Sequence, residues 1–304
     1  MKEQISCDLV ILGGGPAGMT AAVYAAQANL HTILLDTAVT GGLVNSTHTV
    51  KNFPSQKEIH GITLMEKIRD QVDALDVPVE EVCDIEQLDL SGETKIIETD
   101  ECIYHARSVI LGTGRKPAPF YLDEECEEIH YCAVCDGSPY KGKRVLVVGG
   151  GNSAFDEGLY LHQLGVSHLT LVEEMDRFFA APATRDQLCS QENVTAMTST
   201  RVCGLTMEEG RLTGVRLSCE DGEKTIPVDG IFVFMGQIPS NEIFKDQIAL
   251  DDQGYIPSTP HMETNLPGVF SAGDINAKTF RQITTAMSDG TIAALSAQRY
   301  LNPR

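Results

Sequence analysis

Two cysteines separated by two residues, Cys132 and Cys135, stand just before an apolar run that ends in a glycine-rich turn. A pair at this spacing is a redox disulfide, part of a zinc site, or an inert pair in a packed core. Zinc needs four ligands, and the sequence holds no second pair of this spacing and no Cys or His partner at ligand spacing. Asp136 and Gly137 follow the pair and are typical of a turn, not of a packed interior. The pattern favours the redox disulfide over the other two interpretations.

Two glycine-rich turns carry the second chemical signal, which is dinucleotide binding. Residues 7–36 and 143–174 each run from an apolar strand through such a turn to a helical pattern, a second strand and an acid. The runs Leu9–Leu12 and Val145–Val148 have the apolar character of buried parallel strands. The turn residues that we expect at a dinucleotide are Gly13, Gly15, Pro16, Ala17 and Gly18 in the first copy, and Gly149, Gly151, Asn152, Ser153 and Ala154 in the second.

Each position in these turns has a physical requirement. The first glycine allows the tight turn, the second lets backbone approach a pyrophosphate, and the third residue must be small so that helix and strand pack closely. The phosphates then face the free N–H groups at the start of the helix. Ordinary glycine turns are the alternative, and two copies between a strand and a helix weigh against it.

Acidic residues follow the second strand of each copy, namely Asp36 in the first and Glu173 with Glu174 in the second. A carboxylate there accepts hydrogen bonds from a ribose diol and repels a 2′-phosphate. For Asp36, a solvated strand end is the alternative. Near the C-terminus a short strand leads into Gly273 and Asp274, where the alternative role for the aspartate is a helix N-cap.

Composition sets the broad class. The chain has 304 residues, 42% of them hydrophobic, with 27 glycines and a net charge of −20. This size allows two domains, and the acidic surface disfavours nucleic acid and anionic membranes as partners. The sequence has no long apolar run and no signal-like start, so we expect a cytoplasmic protein. In that reducing compartment, the seven isolated cysteines among the nine are expected to be free thiols. We also expect no fused thioredoxin-like segment.

The motifs GGGPAG, KNFP, CAVCDG, GGGNSA, MGQIPSN and FSAGDI together resemble the low-molecular-weight thioredoxin reductases of bacteria and archaea, over almost the whole chain. The CxxCDG just before the second glycine-rich turn is the most specific of them. The resemblance implies an α/β fold with two Rossmann-like domains, the second inserted in the first. An FAD domain would comprise 1–114 and 244–304, and a nicotinamide-binding domain with the thiols would comprise 115–243. It also implies a homodimer.

The resemblance assigns roles to individual residues. Cys135 would face the flavin, Cys132 would attack the disulfide of thioredoxin or a thioredoxin-like protein, and Asp136 would serve as acid and base, although a plain turn residue is its alternative. Rotation of the inserted domain about hinges near 114–117 and 236–240 would bring the thiols and the nicotinamide to the flavin in turn. Asp274 would hold the ribityl chain of the flavin, Arg281 and Gln282 would lie by the isoalloxazine, and Asn52 would lie beside the flavin ring. Further contacts with the cofactor would come from Gly42, Gly114 and Gly273.

The sequence departs from these reductases at the second acid. They carry a basic HRR…R cluster that holds the 2′-phosphate of NADPH, whereas this chain reads VEEMDRFFA, with Glu173, Glu174 and Met175 in place of the triplet and Phe179 in place of the last arginine. NADPH is therefore disfavoured, and NADH is the expected donor. A ferredoxin or a deazaflavin is the alternative donor. The intact second turn favours NADH, and the acidic surface disfavours an acidic ferredoxin.

Four functions remain open on the sequence. The first is an NADH-linked, FAD-dependent thioredoxin reductase, and the second is a ferredoxin- or deazaflavin-linked form of it. The third is a small-molecule dithiol oxidase, which turnover with oxygen and a dithiol would reveal. The fourth is a flavin-binding redox scaffold without activity, which the intact CAVCDG disfavours.

Overall fold

The computed structural model describes residues 2–122, 126–219 and 222–303. The chain divides into two compact units, of which unit 1 comprises Met1–Lys116 with Ile238–Arg304 and unit 2 comprises Pro117–Gln237. The predicted fold class, an α/β chain with one Rossmann-like domain inserted in another, is confirmed. The chain crosses between the units after Lys116 and after Gln237. Next to these crossings, Thr113 Oγ1 donates to the carbonyl of Ser240, and Ser240 N donates to the carbonyl of Gly114.

The helices and strands follow in chain order, and 3-10 turns at Gly42–Ser46, Ser138–Tyr140 and Gly273–Ile275 lie between them. They are β1 (Glu3–Leu12), α1 (Pro16–Gln27), β2 (Thr32–Leu35), α2 (Gly61–Asp73), β3 (Val79–Glu80), β4 (Ile85–Asp89), β5 (Lys95–Thr99), β6 (Cys102–Leu111), β7 (Arg115–Pro117), β8 (Ile129–His130), α3 (Ala133–Asp136), β9 (Arg144–Val148), α4 (Asn152–Leu164), β10 (His168–Val172), α5 (Pro182–Cys189), β11 (Val194–Met197), β12 (Arg201–Glu208), β13 (Arg211–Cys219), β14 (Gly222–Pro227), β15 (Gly230–Val233), β16 (Gln237–Pro239), β17 (Val269–Ser271) and α6 (Ile283–Leu301). Within the described part of the chain, no helix has the length and apolar character needed to cross a bilayer.

Unit 1 is organised around β1, whose side chains alternate between two cores. The sheet runs β3-β2-β1-β6 in parallel, with β17 parallel to β6 and the hairpin of β4 and β5 added antiparallel. Leu9 and Ile11 face the core formed with α1 and α6, while Val10 and Leu12 face the opposite core. Helices α1 and α6 approach so closely that a Cβ on Gly290 would collide with the carbonyl of Ala17.

Unit 2 repeats this plan with a different cover on one face. Its parallel sheet runs β11-β10-β9-β15-β8, and Val145 and Val147 pack against α4 on one side. Leu146 and Val148 pack on the other side against the antiparallel sheet β12-β13-β14. The two connections between the units, β7 and β16, pair with each other.

Candidate functional site

A cavity of about 470 Å³ lies in unit 1 at the carboxyl ends of β1, β2, β6 and β17. Ligands of open parallel sheets bind at this edge, and the volume is that of a small-molecule site. Of the predicted cofactor residues, those that line the cavity are Gly13, Gly15, Pro16, Ala17, Asp36, Gly42, Gly114, Gly273, Asp274 and Gln282. Gly18, Asn52 and Arg281 do not line it.

The first glycine-rich turn has the geometry that a pyrophosphate needs. Gly13 has a φ of +106°, which only glycine adopts readily, and a Cβ on Gly18 would collide with the carbonyl of Gly13. Gly15 differs, because no atom lies within 4 Å of where its Cβ would stand. Helix α1 begins directly after it, at Pro16. Gly18 therefore serves packing, and Gly15 leaves the start of the helix open to a ligand.

Asp36 is fixed against this turn and is not a solvated strand end. Its Oδ2 accepts a hydrogen bond from Gly14 N at 2.6 Å, and its Oδ1 accepts one from Ala38 N at 2.9 Å. Burial raises the pKa of this carboxyl, and Glu81 adds to the effect, against the two backbone hydrogen bonds. The carboxylate lies in the cavity wall, where a ribose diol can reach it.

Asp274 caps no helix and contributes unsatisfied polar capacity to the cavity instead. It lies within the 3-10 turn Gly273–Ile275, whose N-cap is Ala272. Its Oδ2 accepts a hydrogen bond from Arg115 at 3.2 Å, while its buried Oδ1 lies 3.4 Å from Lys278 Nζ and accepts no hydrogen bond from the described residues. Arg115 Nε is also buried without a hydrogen-bond partner among them. Such orphaned groups fit a bound polar ligand.

The structure brings together two of the three residues expected near the flavin ring. Asn52 Nδ2 donates to Gln282 Oε1 at 3.0 Å, across 230 positions of sequence, and Gln282 starts α6 with a capping box. The guanidinium of Arg281 stacks on Tyr255 at 4.2 Å from the ring centroid and donates to the carbonyl of Asn276. Its Nε is buried without a partner among the described residues.

The cysteine pair of unit 2 forms a disulfide. Cys132 and Cys135 have Cα atoms 5.3 Å apart at the start of the short helix α3, and Cys135 N donates to Cys132 Sγ at 3.1 Å. Cys135 is exposed and Cys132 is half-buried. Asp136, predicted to lie in a turn, instead closes α3 and remains partly exposed. The two cysteines therefore form a disulfide that is accessible from solvent, as a redox-active disulfide requires.

Two side chains that the sequence analysis did not assign to the site lie beside α3, the buried Glu157 and the half-buried His130. Glu157 accepts a hydrogen bond from Ala133 N through its Oε2 at 3.2 Å. Burial raises the pKa of this carboxyl to about 7. His130 lies between Asp136 and Tyr140. The only signal for His130 in the sequence is its place two residues before Cys132.

The second glycine-rich turn matches the first but has a different acid. Gly149 has a φ of +126°, and Gly151 is open in the same way as Gly15. A Cβ on Gly150 would meet the side chain of Glu173 at 2.6 Å, and Glu173 Oε1 accepts a hydrogen bond from the backbone two residues on, as Asp36 does. Glu174 is exposed and lies 4.0 Å from Arg201. Glu173 is therefore the carboxylate that faces the turn.

The remaining predicted residues of this turn lie at the start of α4. Ala154 is fully buried, as the close packing of helix and strand requires. Asn152 and Ser153 are exposed, and Asn152 Oδ1 accepts a hydrogen bond from Ala181 N at 2.8 Å. The carbonyl of Gly150 accepts hydrogen bonds from Phe179 N and Ala180 N. The segment that follows Glu174 thus folds back onto the second glycine-rich turn.

Comparison with known proteins shows which family this chain belongs to. The profile of the pyridine nucleotide-disulphide oxidoreductases matches residues 7–290. The chain belongs to this family. Thioredoxin reductase from Listeria monocytogenes is 36% identical over 99% of this chain and 95% of its own. A Clostridium pasteurianum protein described as a 34.2 kDa protein in the rubredoxin operon is 40% identical over 99% of both chains. The crystal structure of Lactococcus lactis thioredoxin reductase superposes with a TM-score of 0.88, at 32% identity, over 97% of this chain and 99% of that one.

Membership in the pyridine nucleotide-disulphide oxidoreductases, among their low-molecular-weight thioredoxin reductases, makes the chain a flavoprotein disulfide oxidoreductase. FAD is the cofactor of the family. The residues of unit 1 fit that cofactor, because the cavity offers an open Gly15 and the orphaned Oδ1 of Asp274.

Proposed function

We propose that the chain is an FAD-dependent thioredoxin-disulfide reductase whose electron donor is NADH. The observation that carries the proposal is the accessible Cys132–Cys135 disulfide in a unit that also has an intact dinucleotide turn. The names of full-length relatives, which are thioredoxin reductases, support thioredoxin as the partner. The domain limits of the proposal are those of the two units, with FAD in unit 1 and the nicotinamide nucleotide in unit 2.

FAD, when bound, exchanges two electrons between a reductant and a disulfide. The residues of unit 1 would bind and orient the cofactor through hydrogen bonds. Backbone at Gly15 and the start of α1 would face the pyrophosphate, and Asp36 would accept from the adenosine ribose. Asp274 would accept from the ribityl hydroxyls through its unused oxygen. The Asn52–Gln282 pair would contact the ring.

The thiol pair completes the reaction by disulfide exchange. In its reduced form, the Cys132 thiolate attacks a sulfur of the partner's disulfide, whose S–S bond breaks to give a mixed disulfide and a leaving thiolate. Asp136 gives that thiolate a proton and takes one from the Cys135 thiol. The Cys135 thiolate then attacks Cys132, the Cys132–Cys135 bond forms again, and the second partner sulfur leaves as a thiolate that takes the proton now on Asp136. Two electrons and two protons have passed to the partner.

Glu173 decides the choice of donor. Its carboxylate lies against Gly150 in the position that Asp36 holds against Gly14. A 2′-phosphate there would meet this negative charge, while the neighbouring arginine, Arg177, lies over the ring of Phe179 at 5.3 Å. A ribose diol would instead donate hydrogen bonds to the carboxylate. The site therefore favours NADH.

Anaerobic titration of the FAD-loaded protein tests the proposal in two stages. NADH should bleach the flavin absorbance and NADPH should not, and oxidised thioredoxin added afterwards should restore it. Glu173→Gln should weaken NADH binding on the order of ten-fold, because it removes a charge-assisted hydrogen bond. Glu174→Gln is the matched control and should leave it unchanged.

Other outcomes would redirect or overturn the assignment. Bleaching by NADPH as fast as by NADH would show that Glu173 does not select between the two nucleotides. Bleaching by neither nucleotide, but by reduced ferredoxin or a reduced deazaflavin, would make the enzyme independent of nicotinamide. Reoxidation by oxygen and a small disulfide, but not by thioredoxin, would make it a small-molecule dithiol oxidase.

The resemblance to the thioredoxin reductases also supports a homodimer that works in the cytoplasm. Sedimentation equilibrium of the FAD-loaded protein should give twice the chain mass of 33.0 kDa. A monomer at micromolar concentration would contradict the assembly without affecting the proposed chemistry.

A further inference from the structure

His130 lies in a fixed position between two residues of the thiol region. Its Nε2 is 2.7 Å from Tyr140 Oη, and its Nδ1 is 3.6 Å from Asp136 Oδ2. The histidine side chain is 18% exposed and the aspartate side chain 43%. The ring thus lies between a buried hydroxyl and a carboxyl that is partly open to solvent and next in sequence to Cys135.

Aromatic packing holds the histidine in place. Its ring contacts those of Tyr140 and Phe232 at centroid distances of 5.3 and 5.1 Å. Tyr140 is in turn confined by Gly230, since a Cβ at that position would collide with its ring. The Asp136 carboxylate that faces Nδ1 can only accept, so it favours the tautomer with the proton on Nδ1, and the tyrosine hydroxyl, which can donate or accept, then donates to the unprotonated Nε2. The proton of the neutral ring is then on Nδ1, toward Asp136.

We propose that His130 is a positioning residue for the acid–base carboxyl of Asp136, which it orients toward the thiol pair through the Nδ1 proton. Tyr140 donates to Nε2 as the outer member of the chain Tyr140–His130–Asp136. The proposal rests on the disulfide exchange set out above, and it is independent of the donor and of the protein partner.

The role of His130 lies in the proton balance of the exchange. When Cys132 attacks a disulfide, the S–S bond breaks and the leaving sulfur keeps the electron pair. If that thiolate is basic, it needs the proton of Asp136 before it departs, and a thiolate of an acidic thiol does not. Asp136 recovers its proton from the Cys135 thiol. His130 itself gains and loses no proton over the cycle.

The ionisation of His130 opposes this role. Burial lowers the pKa of the ring, while Asp136 and Glu128, the charged groups that face it, partly offset the effect. Tyr140 remains protonated, because burial raises its pKa to about 12. Below its own pKa the histidine becomes an imidazolium, which forms an ion pair with the Asp136 carboxylate and so competes with the thiol pair for it. The exchange should therefore slow as the pH falls through the pKa of His130.

The test uses the FAD-loaded protein reduced by one equivalent of dithionite, so that neither nicotinamide nor thioredoxin enters. Two small disulfides are compared by alkylation and mass spectrometry of the thiol peptide. Bis(hydroxyethyl) disulfide has a basic leaving thiolate, and dithiobis(nitrobenzoate) has an acidic one. His130→Leu should slow the first reaction on the order of ten-fold, a part of the usual contribution of an acid–base group, and leave the second unchanged.

Variants separate positioning from structure. His130→Asn keeps a donor where Nδ1 stands, so it should restore most of the rate with bis(hydroxyethyl) disulfide. It should also remove the part of the rate decrease at low pH that the protonation of His130 causes. Tyr140→Phe should slow that reaction less than His130→Leu does. His168→Asn, on β10 beside Thr195, is the matched control and should change nothing. Equal slowing with both disulfides, or no rescue by asparagine, would overturn the proposal, whichever donor or partner the enzyme uses.

Discussion

At the scale of the residue, Glu157 is the side chain whose chemistry depends most on its surroundings. It is 8% exposed, yet it is a carboxyl group in the interior of unit 2. Burial raises its pKa to about 7, Asp156 adds to the rise, and the hydrogen bond from Ala133 N opposes it. The carboxyl therefore changes charge near neutral pH, directly beneath the helix that carries the disulfide.

Replacement of this residue should make the stability of unit 2 less dependent on pH. A raised pKa means that stability is fully present below about pH 4.5, the ordinary value, and is lost as the pH rises through about 7. Glu157→Gln keeps an acceptor for Ala133 N and cannot ionise. We expect the variant to gain on the order of 3 kcal/mol relative to the wild type between these limits.

Thermal denaturation of both proteins across this pH range measures the effect. Glu192→Gln, which replaces an exposed glutamate elsewhere in unit 2, is the control. A difference in melting temperature that stays constant from pH 4.5 to pH 8 would contradict the assignment.

Sequence reasoning identified the two glycine-rich turns and the cysteine pair, and it missed two side chains that reach α3 only through packing. The turns could be predicted because glycine at fixed spacing has one structural meaning between a strand and a helix. Glu157 and His130 could not, because each side chain meets α3 only after α4 and β8 have packed beside it. Arg281 was placed at the flavin by resemblance, and the ring of Tyr255 that holds it lies 26 positions earlier in the sequence.

At the scale of the element, the two glycines of the first turn perform separate tasks that substitution can distinguish. Gly18 faces the carbonyl of Gly13 inside the strand–helix contact, whereas Gly15 faces open space at the start of α1. The same distinction holds in unit 2, where Ala154 already occupies the packed position.

Gly15→Ala should leave the fold intact and weaken FAD binding, because its methyl group would occupy the space between backbone and pyrophosphate. Gly18→Ala should destabilise unit 1 itself, on the order of 3 kcal/mol, since the turn has to move to admit the methyl group. Chemical denaturation without FAD and fluorimetric titration with FAD separate the two effects. Loss of stability in Gly15→Ala without added FAD would refute the assignment.

Strand periodicity explains why the elements themselves were predictable. The apolar runs at Leu9–Leu12 and Val145–Val148 are buried on both faces, so they had to be central strands of parallel sheets. The point where the chain returns to unit 1, at residue 238, has no such sequence pattern. It depends on hydrogen bonds between Thr113, Gly114 and Ser240, and no local pattern signals a pairing over 127 positions.

At the scale of the whole molecule, the chain has separate cores in its two units. Those of unit 1 are centred on β1 and those of unit 2 on β9. The cavity with the cofactor residues lies in unit 1 alone. Bound FAD therefore contributes its binding free energy to the folding of one unit.

Calorimetry should show this asymmetry as two transitions, of which FAD shifts only one. At a free concentration about a thousand times its Kd, a ligand adds about 4 kcal/mol to the unit that binds it. A variant carrying Gly15→Ala should show a smaller shift at the same FAD concentration. A single transition that moves as a whole with FAD would show that the two units unfold together.

The insertion of one unit in the other has a consequence for how the protein is made. Residues 117–237 are contiguous, so they can fold as soon as they leave the ribosome. The first 116 residues leave earlier but lack β17 and α6, which cover one edge of β6 and one face of α1. Until the last stretch of chain is synthesised, they expose a strand edge and an apolar helix face. For the whole time that unit 2 takes to be translated, the nascent chain therefore presents two surfaces that favour aggregation and that a chaperone can bind.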